Sequence, residues 1–442
     1  MNKFDGKQQK RAQQAWVLYD WANSVFSLVI TSTIFPIYYE AIVQDRLLHV
    51  AGVQVSGSAL FSYTISAAFL LVAVLSPFLT AIADYSGWRK QFMQLFCYLG
   101  SLACMGLYFF EDIDSLPWGL GAFLLGLVGF SGSIVFYNSY LPRIAPEEDY
   151  DRLSARGFAW GYVGSVLLLV ICLLPILQPQ WFGNIDSGTA SRLAFVLTGL
   201  WWMGFAQITF RGLPNDHSRH DDTKHWILNG LRELRKVIHE IKYQKLLKRF
   251  VLAFFFFTMG LQTVMYVATL FGTNELKLSA DKLIITILIL QLIAVPGAHL
   301  FSYISSLWGN VRALQIALIV WVGVCVAAYY TYTEWQFYGL AAVVGLLMGG
   351  TQALARATYA KLMPDDTDDT ASYFSFYDIS EKLAIVLGTF TYGFIDDLTG
   401  TMRNSVLALM CFFLIGFLLL WLVPSRKVYR FSLKEIAAKA SS

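Results

Sequence analysis

Trp16-Val-Leu-Tyr-Asp-Trp-Ala-Asn-Ser24 runs without a break into an apolar stretch that ends near Val43. The segment is long enough to cross a bilayer as a helix, and it carries Asp20 inside it. A carboxylate in that setting costs about 2.5–3.5 kcal/mol unless it is paired, protonated or turned toward water. Asp20, Asn23, Ser27 and Thr31 follow i, i+3, i+7, i+11 spacing, which on a regular α-helix draws one polar stripe along a greasy rod. Such a stripe belongs on a helix that lines a cavity within a membrane bundle.

The rest of the chain has the same character. Of its 442 residues, 56% are hydrophobic and only 14% charged, and the mean hydropathy of +0.53 excludes a soluble globular domain. Aromatics reach 16%, as expected where Trp and Tyr sit at two interfaces for every span. A formal charge of +3 is too small to imply a nucleic-acid partner. The basic start (Lys3, Lys7, Lys10, Arg11) leads into a full-length span with no small-residue cleavage site, so no cleavable signal peptide is expected. Cys97, Cys104, Cys172, Cys325 and Cys411 all lie in apolar segments, with no CxxC or Cys/His cluster. Neither a disulfide, a metal site nor another cofactor is implied.

Runs of about 20 apolar residues can cross the hydrocarbon as helices. Twelve are read, at roughly 16–43, 58–83, 91–110, 117–141, 157–177, 191–211, 249–273, 281–306, 313–332, 335–355, 371–396 and 403–423. The even count puts both termini on one side. If that side is taken as the inner one, 27 of the 33 basic residues lie on it and five lie opposite, with Lys382 inside a span. This asymmetry places both ends in the cytoplasm. Residues 1–211 then form one six-helix bundle, and 249–442 form the second together with a basic tail. Residues 212–248 link them, beginning polar and becoming an amphipathic basic helix with Ile227, Leu231, Leu234, Ile238 and Ile241 on one face. That helix is expected to rest on the inner leaflet or, failing that, to dock a regulatory partner.

The two halves repeat at an offset of 219: Pro77 maps to Pro296, Gly126 to Gly345 and Tyr140 to Tyr359. Leu124-Leu-Gly-Leu-Val128 likewise matches Val343-Val-Gly-Leu-Leu347. Duplicated six-helix bundles are a transporter architecture, with a binding site expected near the midplane between the halves.

The loop from Pro77 to Lys90 contains Asp84-Tyr-Ser-Gly87-Trp-Arg89-Lys90, which resembles the Asp-x-x-Gly-x-Arg-Lys signature of major facilitator transporters between spans 2 and 3. Asp84 at a helix end can pair with a basic side chain or a helix N-terminus. Gly87 permits the reversal, and Arg89 and Lys90 are expected to anchor to the inner leaflet. The second half is degenerate: Ser305-Ser-Leu-Trp-Gly309-Asn-Val-Arg312 puts Ser306 where the acid would fall, so the gate is expected to be lopsided.

Three blocks carry a closer resemblance. They are Tyr19-Asp-Trp-Ala-Asn-Ser24 with Phe35-Pro36, Phe136-Tyr-Asn-Ser-Tyr-Leu-Pro-Arg-Ile-Ala145, and Gly349-Gly-Thr-Gln-Ala-Leu-Ala-Arg356 leading to Tyr359. Ser375-Phe-Tyr-Asp-Ile-Ser-Glu-Lys382 and Thr399-Gly-Thr-Met-Arg403 extend the likeness over nearly the full length. Together they resemble the vacuole-effluxer family of major facilitators, named for its fungal autophagy-related member and common in bacteria. The resemblance implies an all-α fold of twelve transmembrane helices in two pseudo-symmetric six-helix bundles. The fungal relative is associated with amino-acid export from the vacuole, while the short loops here favour a bacterial inner membrane.

Candidate site residues follow. On the eleventh span, Asp378 and Lys382 are four apart and can pair on one face, with Ser375 and Thr389 continuing it. Glu381 leaves an excess carboxylate, so Asp378 or Glu381 can exchange a coupling proton; the bland reading is a neutralised structural pair. Asp20 is read either as a substrate or coupling carboxylate or as a helix-end acid held by backbone or Tyr groups. Gln262 is the polar candidate on the seventh span. Tyr137, Asn138, Gln352 and Arg356 are placed at the gate, with Gly345 and Gly349 allowing close helix packing. His299 is read as a proton relay or a packing residue.

The reading is a secondary active transporter, not an enzyme, and a monomer that moves a small polar or zwitterionic solute by alternating access. An amino acid coupled to a proton leads, with Asp20 and Lys382 meeting ammonium and carboxylate. The absence of a nucleotide-binding loop points to an electrochemical gradient. The rivals are an exporter of amphiphilic or lipid-like compounds and a non-transporting sensor or scaffold.

Overall fold

The computed structural model describes residues 6–44, 46–50, 53–216, 226–364 and 367–424. The linker's polar residues 217–225 and the basic tail lie outside the described residues. Thirteen long helices account for most of what is described: α1 (Gly6–Val43), α2 (Gly57–Ser86), α3 (Arg89–Gly106), α4 (Leu116–Ser139), α5 (Tyr150–Leu177) and α6 (Ser187–Gly212). These are followed by α7 (Trp226–Tyr243), α8 (Lys245–Asn274), α9 (Ala280–Trp308), α10 (Asn310–Tyr329), α11 (Glu334–Leu362), α12 (Thr370–Thr399) and α13 (Met402–Leu420).

Eleven of these helices are long and apolar enough to cross a membrane. Besides the linker helix α7, only α12 falls short, because Asp378, Glu381, Lys382, Asp396 and Asp397 interrupt its apolar run. The twelve expected spans therefore each have a helix. α1 begins about ten residues earlier than its apolar run, in a turn whose Lys7, Lys10 and Arg11 are exposed.

Local chemistry sets the ends. Ser56 caps α2 by accepting from the amide of Ala59, and Gly87 ends the helix at φ 76°, a left-handed conformation that few other residues adopt. Thr333 and Gln336 form a reciprocal capping box at the start of α11. Between α1 and α2 the apolar runs predict no further element. The structure has a two-stranded antiparallel hairpin there, Leu47–Val50 with Val53–Ser56, in register Leu47↔Ser56.

By contacts the chain divides into two compact units, residues 1–137 with 160–221 and residues 138–159 with 222–442. In the first, α6 packs on α1 and α3. Gly129 there approaches Gly100 so closely that an added Cβ would lie 2.4 Å from its backbone. In the second, α9 runs along α11 by the same device: a Cβ on Gly345 or Gly349 would meet the carbonyl oxygen of Leu290 or Ala294 at 2.2 Å. Pro77 and Pro296, the repeated prolines, each lie inside a helix, α2 and α9.

The linker helix is rotated from its expected pose. Leu234 and Val237 are buried where α7 packs on α8 and α12, while Ile238 faces outward. The expected apolar line at 234, 238 and 241 is thus split between protein and surroundings.

Candidate functional site

α1 is not a uniform α-helix. Residues Phe26–Ile34 form a π-helix, closing i→i+5 rings. Ser27 and Thr31 of the polar stripe lie in this segment, which carries more residues per turn than the α-helical spacing of the stripe assumes. Asp20 itself is buried, and Tyr137 donates its phenolic hydrogen to Asp20 Oδ2 at 2.7 Å. Tyr137 is held in turn by Trp16, whose ring stacks on it at 4.5 Å and whose indole N–H donates to its carbonyl at 2.9 Å. Tyr137, placed at the gate from sequence, is therefore a partner of Asp20. One turn on, Asn23 is buried and its Nδ2 makes no hydrogen bond among the described residues; the same holds for Thr31 Oγ1. Orphaned donors of this kind cost about 1–3 kcal/mol each, which is tolerable where water or a ligand reaches them.

The charged cluster of α12 lies in the other unit. Lys382 Nζ is 3.2 Å from Asp378 Oδ1 and 3.3 Å from Glu381 Oε2. Gln262 Nε2, on α8, donates to Glu381 Oε1 at 3.1 Å. The two acids differ in setting. The Asp378 side chain is 3% exposed and neither of its oxygens has hydrogen-bond geometry, whereas that of Glu381 is 22% exposed and accepts from both Lys382 and Gln262. Two carboxylates around one ammonium leave one formal negative charge. The hydroxyls of Ser375 and Thr389 bond back to the carbonyls of Ser372 and Ile385 on their own helix. His299 is exposed on α9, so it is not a packing histidine.

The signature loop forms a buried relay. Arg89 Nη2 donates to Asp84 Oδ1 at 2.6 Å, and Nη1 lies 2.9 Å from Asp216 Oδ2 just past α6. Lys90 Nζ donates to the carbonyl of Leu213 and to Asn215 Oδ1 at 2.9 and 3.0 Å. The expectation that Arg89 and Lys90 anchor to the leaflet is corrected. Arg89 is 1% exposed, and both cations tie the chain after α6 to the start of α3.

In the corresponding second-half loop, Ser306 is exposed and its hydroxyl donates to the carbonyl of Tyr303 in its own turn. The acid comes instead from Asp151, at the start of α5. It accepts from Ser305 Oγ at 2.8 Å, Asn310 Nδ2 at 2.7 Å and Lys361 Nζ at 2.7 Å. Beside it, Arg356 donates through Nε to Ser154 Oγ at 2.9 Å, through Nη2 to the Ser154 carbonyl at 3.0 Å, and through Nη1 to Asn138 Oδ1 at 3.3 Å. Its guanidinium lies over the Phe158 ring at 4.2 Å. Gln352, one turn earlier on α11, is half-buried. Asn138 and Arg356, assigned to the gate from sequence, therefore lie together. Asp151, Ser154, Phe158 and Lys361 were missed, although the acidic run Glu147-Glu-Asp-Tyr-Asp151 in a region otherwise rich in cations was a usable signal.

Comparison with known proteins bears on the family and the fold. Residues 8–430 match the family model described as vacuole effluxer Atg22 like. The chain is 32% identical over 424 residues to YxiO of Bacillus subtilis, an uncharacterized MFS-type transporter, covering 95% of this chain and 96% of that one. It is 25% identical over 534 residues to autophagy-related protein 22 of Cryptococcus neoformans, covering 90% and 92%. Among solved structures, the proton:xylose symporter XylE superposes with a TM-score of 0.72 at 16% identity, over 99% of this chain and 100% of that one. The fold is that of the major facilitators, and the protein is a multi-pass membrane transporter.

Proposed function

The chain belongs to the vacuole effluxer Atg22-like family of major facilitator transporters, and from that premise we propose that it carries a small zwitterionic solute, an amino acid, by proton-coupled alternating access. The observation that carries the coupling is the α12 cluster, in which Asp378 and Glu381 share Lys382 on the helix of the eleventh expected span. One negative charge too many at that depth is neutralised most simply by a proton. Burial and the lack of good hydrogen bonds single out Asp378 as the group that holds it, with the half-buried Glu381 beside it as the route in. Lys382, engaged by both acids, serves the pair rather than a substrate carboxylate. In the other unit Asp20, fixed by Tyr137, is assigned to the substrate's ammonium group, and Asn23 Nδ2 supplies a donor one turn away.

Asp151, Lys361 and Arg356 form the releasable part of the gate, on the cytoplasmic side to which the basic residues assign the termini. Purified protein in proteoliposomes should accumulate labelled amino acids when a pH gradient is imposed and lose them when it is collapsed. Accumulation no greater than in protein-free vesicles, across the common amino acids, contradicts this reading.

One observation favours a different cargo. An apolar hollow of about 60 Å³ within the second unit is lined by Val264, Phe271, Leu290, Val324, Phe337 and Leu409 among others. Uptake of an amphiphile in place of amino acids would select that alternative.

A further inference from the structure

α7 has three edges, and the transport reading uses none of them. Leu234 and Val237 form the edge buried where α7 packs on α8 and α12. The second edge is a latch. Lys236 Nζ lies 3.2 Å from Asp369 Oδ2, just before α12, and the Tyr373 hydroxyl donates to Glu240 Oε2 at 3.1 Å. Gln244, past the helix end, donates to the same hydroxyl at 2.7 Å. The third edge carries Arg232, Arg235, His239 and Lys242 at i, i+3, i+7 and i+10, all exposed. Alongside it Ile238 is 50% exposed, and Tyr243 at the helix end is 40% exposed.

We infer that the Arg235–His239–Lys242 edge of α7 is a binding surface for anionic phospholipid headgroups. The chain argues for a lipid rather than an acidic protein. α7 breaks only at Gln244 before α8 begins, and the first turn of that membrane-crossing helix brings Lys245, Lys248 and Arg249, all exposed. The cationic edge therefore sits where a span meets the headgroup layer. Because the main apolar edge is already packed on protein, insertion into the acyl region does not drive the contact. Charge does, and each Lys or Arg near an anionic surface strengthens binding about fivefold. Ile238, exposed next to the cations, adds a shallow apolar contact of the kind seen on interfacial helices. The latch on the far edge fixes which way the cations point, so headgroup binding is transmitted to the chain entering α12.

The test uses the full-length protein in nanodiscs of phosphatidylcholine alone or with phosphatidylglycerol, and no readout depends on transport. Lipids retained on the protein are counted by native mass spectrometry, and amide exchange is followed over residues 232–243. Phosphatidylglycerol should be retained in preference to phosphatidylcholine and should slow exchange in α7 several-fold, with both effects fading as salt is raised. The double change Arg235→Gln, Lys242→Gln should lower the preference by about 25-fold. The swap Arg235→Lys, Lys242→Arg should keep it and controls for folding. Exchange in α7 that ignores phosphatidylglycerol, or an unchanged preference in the Gln variant, overturns the inference. So does slowing by an acidic peptide in discs where phosphatidylglycerol has no effect.

Discussion

After α2, Asp84 and Arg89 lie five residues apart on one stretch of chain, with Asp216 completing a buried set. After α9, the matching loop has no acid of its own: Ser305 and Asn310 donate to Asp151, 154 residues from Ser305 in sequence, and Asn310 also accepts from Lys361. The chemistry is similar but the consequence differs. The Asp84–Arg89 pair is supplied by a single loop and draws on no distant segment for its acid. An acid supplied by α5 is held only while residues 138–159 are seated against α9 and α11, as Arg356 and Lys361 hold them. On the proposed transport reading the first arrangement is a brace and the second is the part that opens, and alternating access needs both.

The largest effect expected from breaking this comparison is on the brace. Arg89→Ala leaves Asp84 facing Asp216 with the shared cation gone, and removal of one member of a buried ion set costs about 3–5 kcal/mol. Denaturant unfolding of the purified protein should show that loss; a change below about 1 kcal/mol would mean the relay contributes little. A middle-sized effect is expected at the seat of α5. A double-mutant cycle with Asp151→Asn and Lys361→Met should give a coupling of about 1.5–3 kcal/mol, in the range of a hydrogen bond to a charged group. The two sites also differ in what they report. Loss at Arg89 should appear as lower stability, and loss at Asp151 chiefly as faster labelling of a cysteine placed at Ser154, as the segment lifts away. The smallest effect sharpens the point: Ser306→Asp restores the signature's acid at an exposed position and should change stability by no more than about 0.5 kcal/mol. A large gain there would show that the loop was missing its own acid after all.

Much of the fold was legible because hydropathy and interruption carry it. Apolar runs marked every span, and Pro77 with Pro296 and Gly126 with Gly345 exposed the duplication. Even α12 could be read, since Leu383–Ile395 is apolar enough to outweigh the charges before it. The site was legible residue by residue but not in its pairings. Asp378 and Lys382 meet because four residues make one turn. Asp20 with Tyr137, and Asp151 with Lys361, meet only through tertiary packing, which leaves no periodic trace. The π-helix in α1 has no signal in Phe26–Ile34, whose composition suits any buried helix. Ser375 and Thr389 looked polar in sequence, yet their hydroxyls are satisfied by their own helix.

The proposed coupling rests on Asp378. Asp378→Asn in proteoliposomes, compared with the unaltered protein, should abolish uptake driven by a pH gradient while leaving solute counterflow, which needs no net proton movement. Gradient-driven uptake that survives the substitution with its pH dependence unchanged would contradict the account.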